Sequence, residues 1–391
     1  MSNTHNIVIL GVSYAGLPVA HGLLKALPAL AKSTKKSYKV TMLSNSTHFW
    51  FNVGAPRAML KPFPKDNMDS FIPVEKGFKQ YPSELYEFVH AEITGLETEK
   101  RSVLYKLKNE QEELASDTQT LHYDTLVIAT GSGGPSPLYA LQGSHVPSLK
   151  AYEDIQARLP SAKSVMVVGG GAAGTETAGE LGYMHGKKSA SPKDITILSG
   201  GERLLPGLRP AISKRAQEIL EDQGVKIEHN LRLKDSKLLG NGSTEVTLTD
   251  GSTRTVDILI VATGRKPASS YLPSSLLDAQ GHVNVDAYLR VPSLESVYVC
   301  GDVASSSNGG IMYIMAAGPC VSSNILAELG GKGKGKEFKP MTTKETQFVP
   351  VGPEYGVGAA FGWWVPSMVI RQVKGKNFMF PTAMKTVMGT A

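Results

Sequence analysis

Short apolar, β-branched runs alternate along this chain with longer stretches whose apolar positions recur at helical spacing, the pattern of an α/β protein built on parallel sheets. Residues 6–10 (NIVIL) predict a strand that runs into a turn at Gly11, and residues 15–27 (AGLPVAHGLLKAL) predict the helix that leaves it. Residues 39–43 (KVTML) supply the next strand, after a polar Lys/Ser/Thr stretch that lengthens the crossover. Together they form a βαβ unit with a right-handed crossover. The pattern then repeats, with a strand at residues 164–168 (SVMVV), a glycine-rich turn, a helix running to about 184 and a strand at 194–198 (DITIL). Two Rossmann-like units are therefore expected, their turns about 160 residues apart.

The two turns have the chemistry of dinucleotide cradles. Gly169, Gly171 and Gly174 complete a Gly-x-Gly-x-x-Gly pattern, in which glycines allow the tight turn, the approach of a pyrophosphate and close helix packing. In the first turn Gly11 and Gly16 hold the outer positions, Tyr14 and Ala15 lie between them, and Ser13 replaces the middle glycine. A serine hydroxyl there is able to donate to phosphate, and the helix N-terminus near Ala15 offers backbone N–H groups. Where an acidic residue would grip the adenosine ribose, the first unit has Ser44 and Asn45 and the second has Ser199. Loss of the second acid removes repulsion toward a 2'-phosphate, and Arg203 is placed to pair with one, while the adjacent Glu202 argues the other way. The choice between NADH and NADPH stays open, with a lean to NADPH.

Two more apolar strands, in residues 123–132 (YDTLVIATGS) and 256–267 (VDILIVATGRKP), each end in Ala-Thr-Gly, placing Thr130 and Gly131 and then Thr263 and Gly264 at their carboxyl ends. Residues 294–304 (LESVYVCGDVA) deliver Gly301 and Asp302 to the same kind of edge, where open α/β sheets bind ligands. Any one of these reads equally well as a core strand and a turn; their recurrence after each βαβ unit argues for sites.

Composition narrows the class. The chain has 391 residues, enough for two or three domains, and 41% hydrophobic residues. Its two cysteines, Cys300 and Cys320, form no Cys-x-x-Cys pair, which excludes dithiol redox chemistry and fits a reducing, cytoplasmic compartment. No secretory leader is expected from the first residues, Ser2 stands where a myristoylation signal needs glycine, and no apolar run approaches the roughly 20 residues of a membrane span. The nine histidines show no metal-ligand spacing. A net charge of +6 is modest, and the densest basic run, residues 331–340 (GKGKGKEFKP), reads as a solvated linker without the interleaved aromatics of a nucleic-acid surface.

With residues 48–59 (HFWFNVGAPRAM), 197–206 (ILSGGERLLP) and 264–272 (GRKPASSYL) added to these motifs, the sequence resembles the two-dinucleotide-binding-domain flavoproteins. Within them it is similar to the apoptosis-inducing-factor-like branch, which includes ferroptosis suppressor proteins and fungal relatives. The resemblance spans essentially the whole chain and implies FAD and NAD(P)H as cofactors. It implies an FAD domain over residues 1–132 and 267–335, an inserted NAD(P)H domain over 133–266, and a C-terminal interface region over 336–391. It also implies that Asp302 holds the ribityl chain, that Pro56 and Arg57 neighbour the flavin, and that the helix at 309–329 points its N-terminus at the ring. Glu176 and Lys374 take catalytic places near the nicotinamide and flavin, although Lys376 lies close enough for the alignment to slip by two.

The function expected is hydride transfer from NAD(P)H to flavin, with electrons passed onward to a quinone. An aromatic secondary metabolite is a rival substrate, and a redox-responsive binding protein a rival of another class. A monomer or homodimer fits equally. Residues 356–370, with adjacent Trp363 and Trp364, read as a packed hairpin or interface, or as an aromatic lip at a quinone pocket or membrane surface.

Overall fold

The structure, a computed structural model, describes residues 4–61, 70–333, 335–340 and 345–390. Each predicted βαβ unit forms. Strand Thr4–Leu10, helix Gly16–Thr34 and strand Ser37–Ser44 make the first, and strand Ser164–Val168, helix Ala172–His185 and strand Asp194–Ser199 make the second. The β-branched runs form strands because both faces are covered: Ile7, Ile9, Val165 and Val167 lie in the core shared with the helices, while Val8 and Leu10 pack with Val103 and Val291, and Met166 and Val168 with Val246 and Leu248, so every side chain in 7–10 and 165–168 is buried.

The first unit sits in a seven-stranded sheet. Strands Val297–Val299, Thr125–Ile128, Thr4–Leu10, Ser37–Ser44 and Tyr86–Glu97 run parallel, and an antiparallel extension through Ser102–Leu107 and Gln119–His122 completes the edge. The second unit is the centre of a four-stranded parallel sheet, ordered Lys226–His229, Asp194–Ser199, Ser164–Val168, Ile258–Val261.

Register places the functional turns. Leu10 lies opposite both Leu43 and Ile128, which brings Gly11, Ser44 and Ala129 to one level at the carboxyl edge. Val168 is likewise opposite Leu198 and Val261, which brings Gly169, Ser199 and Ala262 together. Both carboxyl edges are thus built by the same arrangement of three strand ends.

Helix Ile311–Leu329 crosses the first helix closely, for a Cβ on Gly318 would lie 2.8 Å from the Ala15 carbonyl oxygen. The tail then forms a three-stranded antiparallel sheet, Gln347–Val351, Tyr355–Ala360 and Trp363–Trp364, followed by a short helix Ser367–Ile370 that widens into a π-helical turn over Arg371–Gly375. Gly179 of helix Ala172–His185 meets this sheet, its missing Cβ making room for the Val351–Gly352 backbone 2.7 Å away. The last helix, Pro381–Met388, returns to the first unit, where the buried His21 imidazole bonds the Val387 carbonyl at 2.8 Å. The basic run is less of a free linker than expected. Its lysines are exposed, but Asn324 grips the Lys336 backbone on both sides and Phe338 packs edge-on against Tyr313; Lys334 lies outside the described residues.

Candidate active site

The two glycine turns are close copies. Gly11 has φ +95° and Gly169 φ +129°, and a Cβ on either would strike a carbonyl oxygen of the neighbouring strand, Ala129 at 2.5 Å or Ala262 at 2.8 Å. Gly16 and Gly174 bring their helices onto the turn so closely that a Cβ would sit 1.9 Å from the carbonyl oxygen of Gly11 or Gly169. The first helical bonds also correspond, Leu17 N–H to Ser13 C=O at 2.9 Å and Thr175 N–H to Gly171 C=O at 3.0 Å.

This correspondence makes Ser13 the counterpart of Gly171. Gly171 has φ −78° and ψ −175°, extended backbone open to any residue, and a Cβ built on it meets nothing within 4 Å. Serine is therefore sterically permitted at position 13, which has no positive φ. Both cradles fit a pyrophosphate: unblocked turns at helix N-termini, whose N–H groups have no helical partner.

Around the first cradle several predicted residues are engaged by protein partners. Ser44 donates to the Ser46 carbonyl at 2.9 Å, and the Asn45 carbonyl accepts from Lys108 at 3.4 Å. Tyr14 turns its ring into an aromatic cluster with Phe49, centroids 4.8 Å apart. Thr130 ties its strand to the Ala268 carbonyl at 2.8 Å. Gly131, Gly264 and Gly301 have φ of 68°, 84° and 84°, so the turns after all three strands need glycine. Asp302 lines a cavity of about 160 Å³ with Ser132, Arg265 and His282, and its carboxylate accepts from Ser132 Oγ and Arg265 at 2.8 Å each.

A second cleft, of about 260 Å³, lies against the other cradle and is lined by Gly170, Gly171, Ser199, Gly200, Glu202 and Arg203. Arg203 donates one N–H from each terminal nitrogen to its own loop, to the Pro206 carbonyl at 3.0 Å and to that of Leu208, which fixes the guanidinium at the cleft and leaves three of its five N–H donors uncommitted to these bonds. Thr263 lies exposed at the edge, its methyl beside Gly169.

Between the cradles is a buried charged junction. Glu176 and Glu180, one helical turn apart on helix Ala172–His185, both face inward. Glu176 pairs with Lys374 Nζ at 2.5 Å. Burial raises the Glu176 carboxyl above its usual range, and the Lys374 ammonium opposes that rise. Glu180 takes a bidentate pair from Arg57, 2.7 Å on both arms, with side chains only 13% and 3% exposed. Arg57 also donates to the carbonyls of Gly375 and Lys376 at 2.8 and 3.0 Å and covers the Phe378 ring. Pro56 lies in the first turn of the short helix Ala55–Ala58 that carries Arg57. The expected neighbour of flavin is thus the bolt between three chain segments. Glu180 was not foreseen, although its spacing from Glu176 among small residues was the available signal.

A histidine group also gathers just beyond the carboxyl end of strand Ser37–Ser44. His145 stacks on His48, ring centroids 4.0 Å apart, and bonds Ser46 Oγ at 3.2 Å. Burial, reinforced by His48, lowers the His145 imidazole to about 4. The unfolded chain accepts a proton there near pH 6.5 that the folded chain refuses, so this contribution to stability is intact above 6.5 and declines between 6.5 and 4. We expect the thermal midpoint of the His145→Gln variant to fall less steeply with acid across that window than that of the parent; parallel curves would remove His145 from the account.

A model of the pyridine nucleotide-disulphide oxidoreductase family matches residues 5–319. Oxidoreductase phnG of Penicillium herquei is 33% identical over 404 residues, covering 96% of this chain and 94% of its own length. Ferroptosis suppressor protein 1 of Homo sapiens is 24% identical over 395 residues, covering 99% and 96%. Among solved structures, the sulfide:quinone oxidoreductase of Aquifex aeolicus superposes with a TM-score of 0.68 at 14% identity, covering 98% of this chain and 92% of its own; at that identity the likeness is one of fold.

Proposed function

Since the chain belongs to the pyridine nucleotide-disulphide oxidoreductase family, whose members depend on FAD and NAD(P)H, we propose that it takes hydride from a reduced nicotinamide and passes electrons to a quinone. Bound FAD supplies the two-electron relay between donor and acceptor. The carrying observation is the pair of matched cradles in a chain with no Cys-x-x-Cys pair to extend the relay. Cys300 is buried with its thiol pushed up to about 12, and Cys320, the other cysteine, makes no disulfide with it. The acceptor must therefore come to the flavin itself.

In this reading residues 1–132 and 267–335 hold FAD, residues 133–266 hold NAD(P)H, and 336–391 close the interface between them. The division is supported by the sheets, since the seven-stranded one draws strands from 4–128 and 297–299 and the four-stranded one from 164–261. Gly11, Ser13 and Gly16 bind the flavin pyrophosphate through backbone N–H groups, and Gly169, Gly171 and Gly174 bind that of the nicotinamide nucleotide. Asp302 accepts from ribityl hydroxyls. Helix Ile311–Leu329 aims the positive end of its dipole at developing negative charge. Glu176 orients the nicotinamide, and Lys374 Nζ donates to Glu176 Oε1 and so fixes that carboxylate. The quinone assignment draws on the sulfide:quinone oxidoreductase of the same fold.

Anaerobic addition of NADH or NADPH to the purified holoprotein is expected to bleach the flavin band, and a short-chain ubiquinone analogue to restore it. A band unchanged by both nucleotides would sink the oxidoreductase reading, whereas a bleached band that the quinone leaves unchanged would sink only the acceptor.

A further inference from the structure

The turn between strands Tyr355–Ala360 and Trp363–Trp364 displays its aromatics to solvent. Trp363 is 78% exposed and Trp364 60%, and Phe361 joins them at the tip. Across the adjoining helical stretch Met368 is 70% exposed, with Val369 and Val373 beside it. Among the described residues, half of the large exposed apolar side chains are thus drawn from fewer than twenty consecutive residues, with Tyr355 as the seventh member.

The tip is held rigidly. Phe361 has φ +52° and Gly362 φ +81°, a left-handed pair in which a bulky aromatic is unfavourable. The body of the protein holds it there: Phe361 N–H donates to Thr346 Oγ1 at 2.9 Å, Gly362 N–H donates to the Glu345 carbonyl at 2.8 Å, and Arg209 donates to the Gly362 carbonyl.

Charge selects the partner. From residue 355 to the last there is no aspartate or glutamate, while Arg371, Lys374, Lys376 and Lys385 are all basic. Arg371 and Lys376 are exposed on the same helical stretch as Met368 and Val373. Glu345 behind the tip is neutralised by Arg209 at 2.7 Å, which leaves Glu354, at the far end of the strand, as the exposed acid of this region. A rigid aromatic tip flanked by unopposed cations is complementary to an anionic bilayer surface, where Trp rings sit at the headgroup level and Lys/Arg meet the lipid phosphates.

We propose that this face docks the protein on an anionic lipid membrane. It also connects to the chemistry. Val373 faces solvent on the turn whose next residue, Lys374, reaches inward to Glu176, so the docking face and the charged junction share one turn of chain. Among the described residues no helix is long and apolar enough to cross a membrane, so attachment here is by surface contact.

The test mixes full-length holoprotein with vesicles of phosphatidylcholine containing about a quarter phosphatidylserine. Trp50 is already buried, so a blue shift of tryptophan emission on mixing reports Trp363 and Trp364. We expect co-flotation with these vesicles, weaker binding to phosphatidylcholine alone, and a loss of about tenfold or more in the W363S/W364S double variant. That variant should keep its flavin and its nicotinamide bleaching, which separates failure of docking from failure of the oxidoreductase reading. Parent protein that leaves the vesicles, or a double variant that binds as the parent does, overturns the proposal. So does a concentration-dependent dimer that the double substitution abolishes in protein that binds no vesicles, which would give the face to a second copy of the chain.

Discussion

Replacing Arg57 with alanine is expected to destabilise the protein by about 3–5 kcal/mol, because it leaves a buried carboxylate without its counter-charge. Glu180 would keep its position on helix Ala172–His185 and lose both arms of its bidentate partner, and the carbonyls of Gly375 and Lys376 would lose their donor. Simple loss of packing predicts less. The discriminating comparison is the R57M/E180L pair, which removes both charges and fills the space with apolar atoms. Such replacements of buried ion pairs are often neutral, so the double variant should recover most of the denaturant midpoint that R57A loses. An R57A midpoint within error of the parent would mean that the junction carries no net stability.

The second large effect concerns the matched glycines. A methyl group at Gly174 would sit 1.9 Å from the Gly169 carbonyl oxygen, so in G174A the helix must back away from the turn that presents its N–H groups. A displacement of about 1 Å at a positioning element costs on the order of a hundredfold in rate. G174A is therefore expected to remain yellow and to lose about that factor in kcat/KM for the nicotinamide nucleotide, since the flavin turn is a separate structure. G16A makes the same collision with the Gly11 carbonyl in the other cradle and is expected to purify with little or no flavin. A G174A protein that binds and oxidises nucleotide as the parent does would remove the second turn from the nucleotide site, and yellow G16A protein would do the same for the first turn and FAD.

These two predictions differ in how far they were readable beforehand. The glycine turns, the Ala-Thr-Gly strand ends and Gly301-Asp302 belong to local patterns: a β-branched run, a residue that must tolerate positive φ, and a helix that starts within a few residues. Such features depend on neighbours in the chain, and so the strands at 164–168 and 125–128 fall within their predicted stretches. Even the departure at Ser13 was a question the chain could pose. Answering it required the second turn as a template, with the extended backbone and open space at Gly171.

The charged junction was beyond local pattern. Arg57 meets Glu180 across 123 positions of chain, and Lys374 meets Glu176 across 198. Nothing in the spacing of the tail says which of Lys374 and Lys376 turns inward; the π-helical turn over Arg371–Gly375 decides it, placing Lys374 against the buried helix and Lys376 in solvent. Arg203 shows the same limit, for it lines the cleft beside the second glycine turn while two of its N–H groups are tied to carbonyls of its own loop, which no local pattern announces. By itself the sequence determined two glycine-turned parallel units and the ligand class their edges accept, because backbone conformation and burial patterning are local. Only the tertiary structure decided which charges are paired and which side chains remain exposed, because burial makes an ion's partner a matter of whole-chain packing.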